Sequence, residues 1–374
     1  MRYSFRLAEL LGHIPDPKKR PGTIKTIVQY TGLDRHQVSA LLKNEVKYIP
    51  LQALSRLCDY LIDHGYAQAE QLPGALFSVE AENFWELLAR RNRLELCVGV
   101  RREESWPDGA WIVASDSLLM GELLNGVSTL GGTARFRQGM TMPPPQPEHI
   151  KQSLVWSPGQ GTRDQVLGRA QRLYDEFNEA AMDRALVGLG SVKSNPVVEH
   201  IVANLFHTEP FVSQDGIDDP TQRNSPFFLR FRADDPQFAS CCGGTDLSAK
   251  MPSNAPGIYF ETPSGWKVCK WADKKRDAAF VVYVHRESQG RLELAMGGYS
   301  GRGTRLLARV LASRAEELWP PVYEGHGLRV GAFILEFVLE GHSSGGRDSL
   351  LSDPIAQTKI HALDSSVIEG RIRA

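Results

Sequence analysis

Two sets of side chains in this 374-residue chain have the types and the spacing to do chemistry. The first lies in "TGLDRHQVSALLKNE", Thr31 to Glu45. With Val38, Leu41 and Leu42 turned inward as a helical stripe, Arg35, His36, Gln37, Ser39, Ala40 and Lys43 face outward. Arg, Gln and Ser can hydrogen-bond to base edges, and an α-helix fits the major groove that displays them. Lys25, Thr26, Lys47 and Tyr48 suit contacts to a phosphate backbone, and Lys18, Lys19 and Arg20 precede them as a basic arm.

The second set sits in three turns, each between an apolar strand-like run and a helical pattern. "SPGQGTRD" offers Gly159, Gly161 and Thr162; "GLGSVKSNPVVE" offers Ser191, Lys193, Ser194 and Asn195; "YSGRGTRL" offers Ser300, Arg302, Gly303 and Thr304. Glycines let a ligand approach the backbone, and N–H groups at a helix start favour an anion. Asp116, in "WIVASDS", ends a similar strand and can accept from a sugar hydroxyl. None of these is a complete nucleotide motif. Gly298 to Gly303 has P-loop spacing, but Thr304 stands where the lysine belongs, and Lys193 replaces the third glycine of a dinucleotide fingerprint. Arg302 likewise takes the last glycine of a nucleophile elbow centred on Ser300, although His326, His342 and His361 follow. The alternative to ligand binding is that these are simply tight turns.

Fainter signals complete the inventory. Vicinal Cys241 and Cys242 either sense oxidants or are inert thiols. His200 and His207 lie two helical turns apart with no further ligand at metal spacing, so no metal or other cofactor is expected.

The elements that must position these groups follow from pattern. "FRLAELLGHI", "TIKTIVQY", the segment after Asp34 and "IPLQALSRLCDYLIDHG" read as four short helices, punctuated by Pro and Gly. A connecting helix around "AENFWELLARRN" follows, with Phe84, Trp85, Leu87 and Leu88 as a seam between domains. From Leu94 β-like runs alternate with helices of 10–20 residues, the signature of a mostly parallel sheet covered by helices, with extra strands at a mixed edge. "GMTMPPPQPEH" is a surface loop inside this body, and beyond Glu340 periodicity fades. The resulting division is residues 1–70, a linker 71–93, an α/β body 94–340 of Rossmann-like fold, and an irregular tail 341–374.

The stretch from Thr23 to Asn44, "TIKTIVQYTGLDRHQVSALLKN", resembles the helix-turn-helix of the Cro and lambda-repressor-like family of DNA-binding domains. Ile27, Val28, Leu33, Val38 and Leu41 occupy the positions that must pack for the two helices to cross. The resemblance covers about the first 65 residues. It implies an all-α head that binds double-stranded DNA through Lys25, Thr26, Arg35, His36, Gln37, Ser39 and Lys43, and a homodimer reading two half-sites.

Bulk properties agree. The chain is 42% hydrophobic and 23% charged, which excludes disordered and fibrous classes. Net charge is −1, yet residues 1–70 hold ten Lys and Arg against seven Asp and Glu, a basic head on a slightly acidic body. No apolar run is long enough for a membrane span, no signal peptide opens the chain, and five scattered cysteines suit a reducing cytoplasm. The function expected is a DNA-binding transcriptional regulator whose body senses a small anionic or nucleotide-like ligand. The alternatives are an enzyme using the same loops on a nucleotide-like substrate, and a protein-binding module.

Overall fold

The computed structural model describes residues 3–11, 23–43, 45–46, 48–73, 76–79, 81–91, 93–101, 111–130, 152–179, 184–217, 219, 222–235, 239–246, 251–273, 275–286, 290–325, 327–339 and 354–373. The chain divides into two compact units. One is Met1–Glu82 with His285–Arg291 and Glu324–Arg329; the other is Asn83–Val284 with Leu292–Tyr323 and Val330–Ala374.

The first unit opens on β1 (Tyr3–Phe5) and α1 (Leu7–Leu10). Three helices follow, α2 (Thr23–Thr31), α3 (Arg35–Leu42) and α4 (Leu51–Asp63), and then β2 (Phe77–Val79). Apolar residues three and four apart explain its core. Leu7, Leu11, Ile27, Val38, Leu41, Leu57 and Leu61 are buried in one cluster, joined by Leu33 from the turn. The Tyr30 hydroxyl donates to Asp63 and ties α2 to α4. Gly32, at φ 74°, ends α2 in a left-handed conformation that a side chain would strain. The head is not purely helical as expected. Strands β1 and β2 pair antiparallel, with Phe5 opposite Phe77 and their rings 5.3 Å apart. Three-residue strands are too short for alternation to be read from sequence.

The second unit begins with α5 (Phe84–Ala89). Phe84, Trp85, Leu87 and Leu88 are buried, and a Cβ at Gly126 would come within 2.1 Å of the Trp85 ring. The chain continues through β3 (Arg93–Val98), β4 (Val100–Arg101), β5 (Trp111–Ile112), α6 (Ala114–Thr129), β6 (Gln152–Trp156) and α7 (Arg163–Glu179). Next come β7 (Arg184–Leu189), α8 (Pro196–Leu205), β8 (Phe227–Arg230), β9 (Gly243–Gly244), β10 (Gly257–Thr262) and β11 (Gly265–Lys270). The remainder of the chain is β12 (Arg276–Arg286), β13 (Arg291–Gly298), α9 (Gly301–Arg314), β14 (Tyr323–Gly325), β15 (Leu328–Val338), β16 (Lys359–Ala362) and α10 (Ser365–Arg373), with 285–291 and 324–329 counted in the first unit.

The main sheet has the order β14-β15-β12-β13-β7-β3-β6, with β16 added to β15. β3 runs parallel to both neighbours, placing Leu96 opposite Val155 and Val187. Gly190, just past β7, donates its N–H to Met296 O at 2.9 Å, so the carboxyl ends of β7 and β13 lie side by side. Only four residues join β12 to β13, too few for a crossover, so that pair is antiparallel. The sheet is therefore mixed across its middle as well as at its edge. α6 packs on α9 and α7 on α8. A second sheet, β11-β10-β8-β9, contains the hairpin expected in "GIYFETPSGWKVCKW".

The tail also departs from expectation. Its described part carries β16, paired antiparallel with β15, and α10, with Leu363, Ile368 and Ile372 buried. Arg371 donates to Glu261 at 2.7 Å. Four apolar residues over one strand and one short helix give no sustained period, which is why the sequence reads there as irregular. The loop "GMTMPPPQPEH" lies outside the described residues.

Candidate functional site

The first candidate is the outer face of α3. The helix starts sharply because Asp34 and Gln37 form a capping box. Asp34 Oδ1 accepts the Gln37 N–H at 2.8 Å, while Gln37 Oε1 accepts the Asp34 N–H at 3.2 Å. Two donors that a helix end leaves open are thus satisfied, and no acidic side chain stands in the first turn. Val38 and Leu41 anchor the inner face. Arg35, His36 and Lys43 are exposed, and Gln37, Ser39 and Ala40 are half-buried beside them. Lys25 and Thr26 are exposed on α2, as is Tyr48 beyond α3. Gln37 differs from its expected role in one respect: its carbonyl holds the cap, which leaves the amide NH2 as its outward donor. Lys18, Lys19, Arg20 and Lys47 lie outside the described residues.

The second candidate is a cleft of about 370 Å³ in the α/β unit, over the carboxyl ends of β7 and β13 and the start of α6. It gathers Ser191, Lys193, Ser194, Ser300 and Thr304 from two of the three turns marked in the sequence, and Asp116 from the stretch "WIVASDS". Sequence reasoning missed Ser115, Arg232, Asp234, Asp235 and Tyr299 as lining residues; Val113, Gly298 and Gly301 complete the wall. Lys193 Nζ lies 2.9 Å from Asp235 and 4.3 Å from the Tyr299 ring centroid, and Arg232 grips the same carboxylate at 2.6 Å. Burial lowers the Lys193 pKa; Asp235 only partly offsets this. Burial works against ionisation of Asp235 too, but the hydrogen bonds from Arg232 and Lys193 prevail and hold its pKa at about 2. Both cations of the cleft are therefore engaged by one carboxylate, and hydroxyls make up much of the rest.

The helix starts around the cleft are capped from within. Ser300 Oγ accepts the Arg302 N–H at 3.1 Å, and Asp277 Oδ2 accepts the Gly303 N–H at 3.1 Å while the Ser300 hydroxyl also donates to it. Gly303 serves close packing, since a Cβ there would sit 2.5 Å from Ala278 O. Thr304 Oγ1 accepts the Gly298 N–H at 3.1 Å. Asn195 is fully buried: it caps α8 through the Val197 N–H and donates to Cys97 O and Leu189 O, joining the ends of β3 and β7. Gly159, Gly161 and Thr162 do not line the cleft; Thr162 and Gln165 cap α7 reciprocally, and Arg169 bonds to two carbonyls of that turn. No histidine lines the cleft among the described residues, and His326 and His342 lie outside them. Cys241 and Cys242 are buried free thiols, and the hydrogen bond between them, burial and then the neighbouring Glu199 push the Cys241 pKa well up.

Residues 18–62 match the family model of the Cro/C1-type helix-turn-helix DNA-binding domain, the segment that holds α2, α3 and most of α4. Neither a curated protein nor a solved structure matches the chain. Among the described residues no helix is long and apolar enough to cross a membrane.

Proposed function

We propose that this chain is a transcriptional regulator in which the α3 face reads DNA and the cleft of the α/β unit senses a small anionic or nucleotide-like ligand. The observation that carries the reading is a capped α3 inside the matched segment, with Arg35, His36 and Lys43 exposed over buried Val38 and Leu41. A helix held by its inner stripe and free on a polar outer face is what major-groove docking requires. One such helix contacts only a few base pairs, so two copies acting on paired half-sites form the working unit.

Support for the sensing half is the convergence of Lys193, Arg232, Asp116 and the serine hydroxyls on one cleft at strand ends, where open α/β sheets place ligands. A phosphate there competes with Asp235 for Lys193 and Arg232, and ribose hydroxyls match Asp116. The competition gives the ligand a way to change the structure around it: whatever takes the two cations releases Asp235.

The test is fluorescence anisotropy on DNA selected from random-sequence pools by the full chain. Binding should weaken steeply with salt. Arg35→Ala should reduce affinity by roughly 1–3 kcal/mol at one or two base pairs and relax sequence preference there. If the pools yield no enriched sequence and Arg35→Ala binds as the parent does, the regulator reading is lost. For the cleft, nucleoside mono-, di- and triphosphates should raise Tm in the parent and not in Lys193→Ala.

A further inference from the structure

Away from both sites, three side chains of metal-ligating type converge from three strands of the α/β unit. Cys269 lies on β11, Glu336 on β15 and His361 on β16. One donor atom from each lies within 4.8 Å of the other two, and His361 Nε2 is 3.8 Å from Glu336 Oε2. We propose that these three residues bind a divalent cation of the zinc class, with water in the fourth position.

The donor set argues for that cation. Thiolate, imidazole and carboxylate together select zinc-like ions over Mg(II) and Ca(II), which take oxygen ligands. Zinc bonds of about 2.0–2.3 Å in a tetrahedron place neighbouring donors about 3.3–3.7 Å apart. The His361 and Glu336 donors, 3.8 Å apart, are already close to that spacing, and all three lie within 4.8 Å of one another. Charge balances too. Binding displaces the Cys269 proton to solvent, and one thiolate, one carboxylate and a neutral imidazole neutralise a 2+ ion. Burial and the nearby Glu336 keep this thiol protonated in the absence of a cation, so uptake must release that proton.

Positioning and access also fit. β15 and β16 are paired antiparallel, with Ile334 opposite His361 and Glu336 opposite Lys359, so both ligands are fixed by one ladder. The Phe260 ring lies 5.2 Å from the imidazole and limits its rotation. Cys269 is buried, whereas the His361 and Glu336 side chains retain 33% and 16% exposure, which leaves a route for the ion and its water. Lys359 Nζ, 4.0 Å from Glu336, competes weakly, being two-thirds exposed and able to swing away. The other Cys and Glu cluster is a poorer site. Glu199, Cys241 and Cys242 would leave a buried net negative charge on a divalent ion. Glu199 there already accepts from Ser240, Cys241 N–H and Phe211 N–H.

The experiment uses the full chain, reduced and freed of metal by a chelator, titrated with Zn(II) and, for spectroscopy, Co(II). The expected result is one equivalent bound, undisturbed by excess Mg(II), with a thiolate-to-cobalt charge-transfer band. Cys269→Ser should abolish the band, His361→Gln should weaken Zn(II) binding at least about tenfold, and Cys241→Ser combined with Cys242→Ser should change neither. Should Cys269→Ser fail to fold, the half-exposed His361→Gln, checked by circular dichroism, carries the test. Absence of stoichiometric uptake by the reduced parent overturns the proposal. So does uptake that survives both Cys269→Ser and His361→Gln.

Discussion

At the scale of single residues, burial decides the protonation of His200. His200 is buried on α8, its ring stacked 5.3 Å from that of Tyr174 and edge-on to Phe211 at 5.0 Å. Burial lowers its pKa from 6.5 to about 4, with Asp175 opposing only slightly. Between those values the unfolded chain takes up a proton that the folded chain refuses. Stability should therefore fall as pH drops from about 6.5 to 4, by up to about 3 kcal/mol from this group. Urea unfolding at a series of pH values checks this: His200→Phe, which does not titrate, should flatten the decline, and an unchanged slope would assign it elsewhere. The cleft shows how far such residues were legible in sequence. Lys193, Ser191 and Ser300 stand beside glycines at strand ends and declare themselves. Arg232 and Asp235 come from "RADDP", a turn that reads as solvated surface, and their partner Lys193 is some forty positions away. Asn195 was legible as polar and turn-like, but only the fold shows that its amide is spent joining two strand ends.

At the scale of elements, α3 depends on its cap more than on its length. It is an eight-residue helix, shorter than a helix that holds in water unaided, so its start must be fixed by Asp34 and its inner face by Val38 and Leu41. Asp34→Ala should destabilise it by about 1 kcal/mol and Asp34→Asn by much less, because asparagine caps nearly as well. Amide hydrogen exchange across α3 in the full chain should quicken about fivefold for Ala. Equal exchange in parent and Ala variant would mean that packing alone sets the helix. The head and the parallel strands were legible because each had a strong local signal: a cap with a 3.6-residue stripe, or an apolar run followed by a long helix. Pairing partners were not. β1 finds β2 across more than seventy residues, and β16 adds to β15 after a long separation, by contacts no local window contains.

At the scale of the whole molecule, charge and linkage set what regulation can look like. Net charge is −1 while the first 70 residues are basic, so DNA attracts the head and repels the rest of the chain. Among the described residues the α3 face with Lys25 offers few cations, so the proposed reading has affinity come from two heads on paired half-sites rather than from one strongly charged surface. If the cleft is the sensor, its ligand and DNA are coupled through one equilibrium between two states of the protein. A nucleotide that changes DNA affinity by some factor must then have its own affinity changed by the same factor when DNA is bound, typically about 5–150-fold. Two titrations measure this: anisotropy of labelled DNA with and without saturating nucleotide, and calorimetry of the nucleotide with and without saturating DNA. Matching factors, lost together in Lys193→Ala, would join the two sites into one regulator. A nucleotide that raises Tm yet leaves DNA affinity unchanged distinguishes neither state from the other, and however tightly it binds, it cannot be the signal.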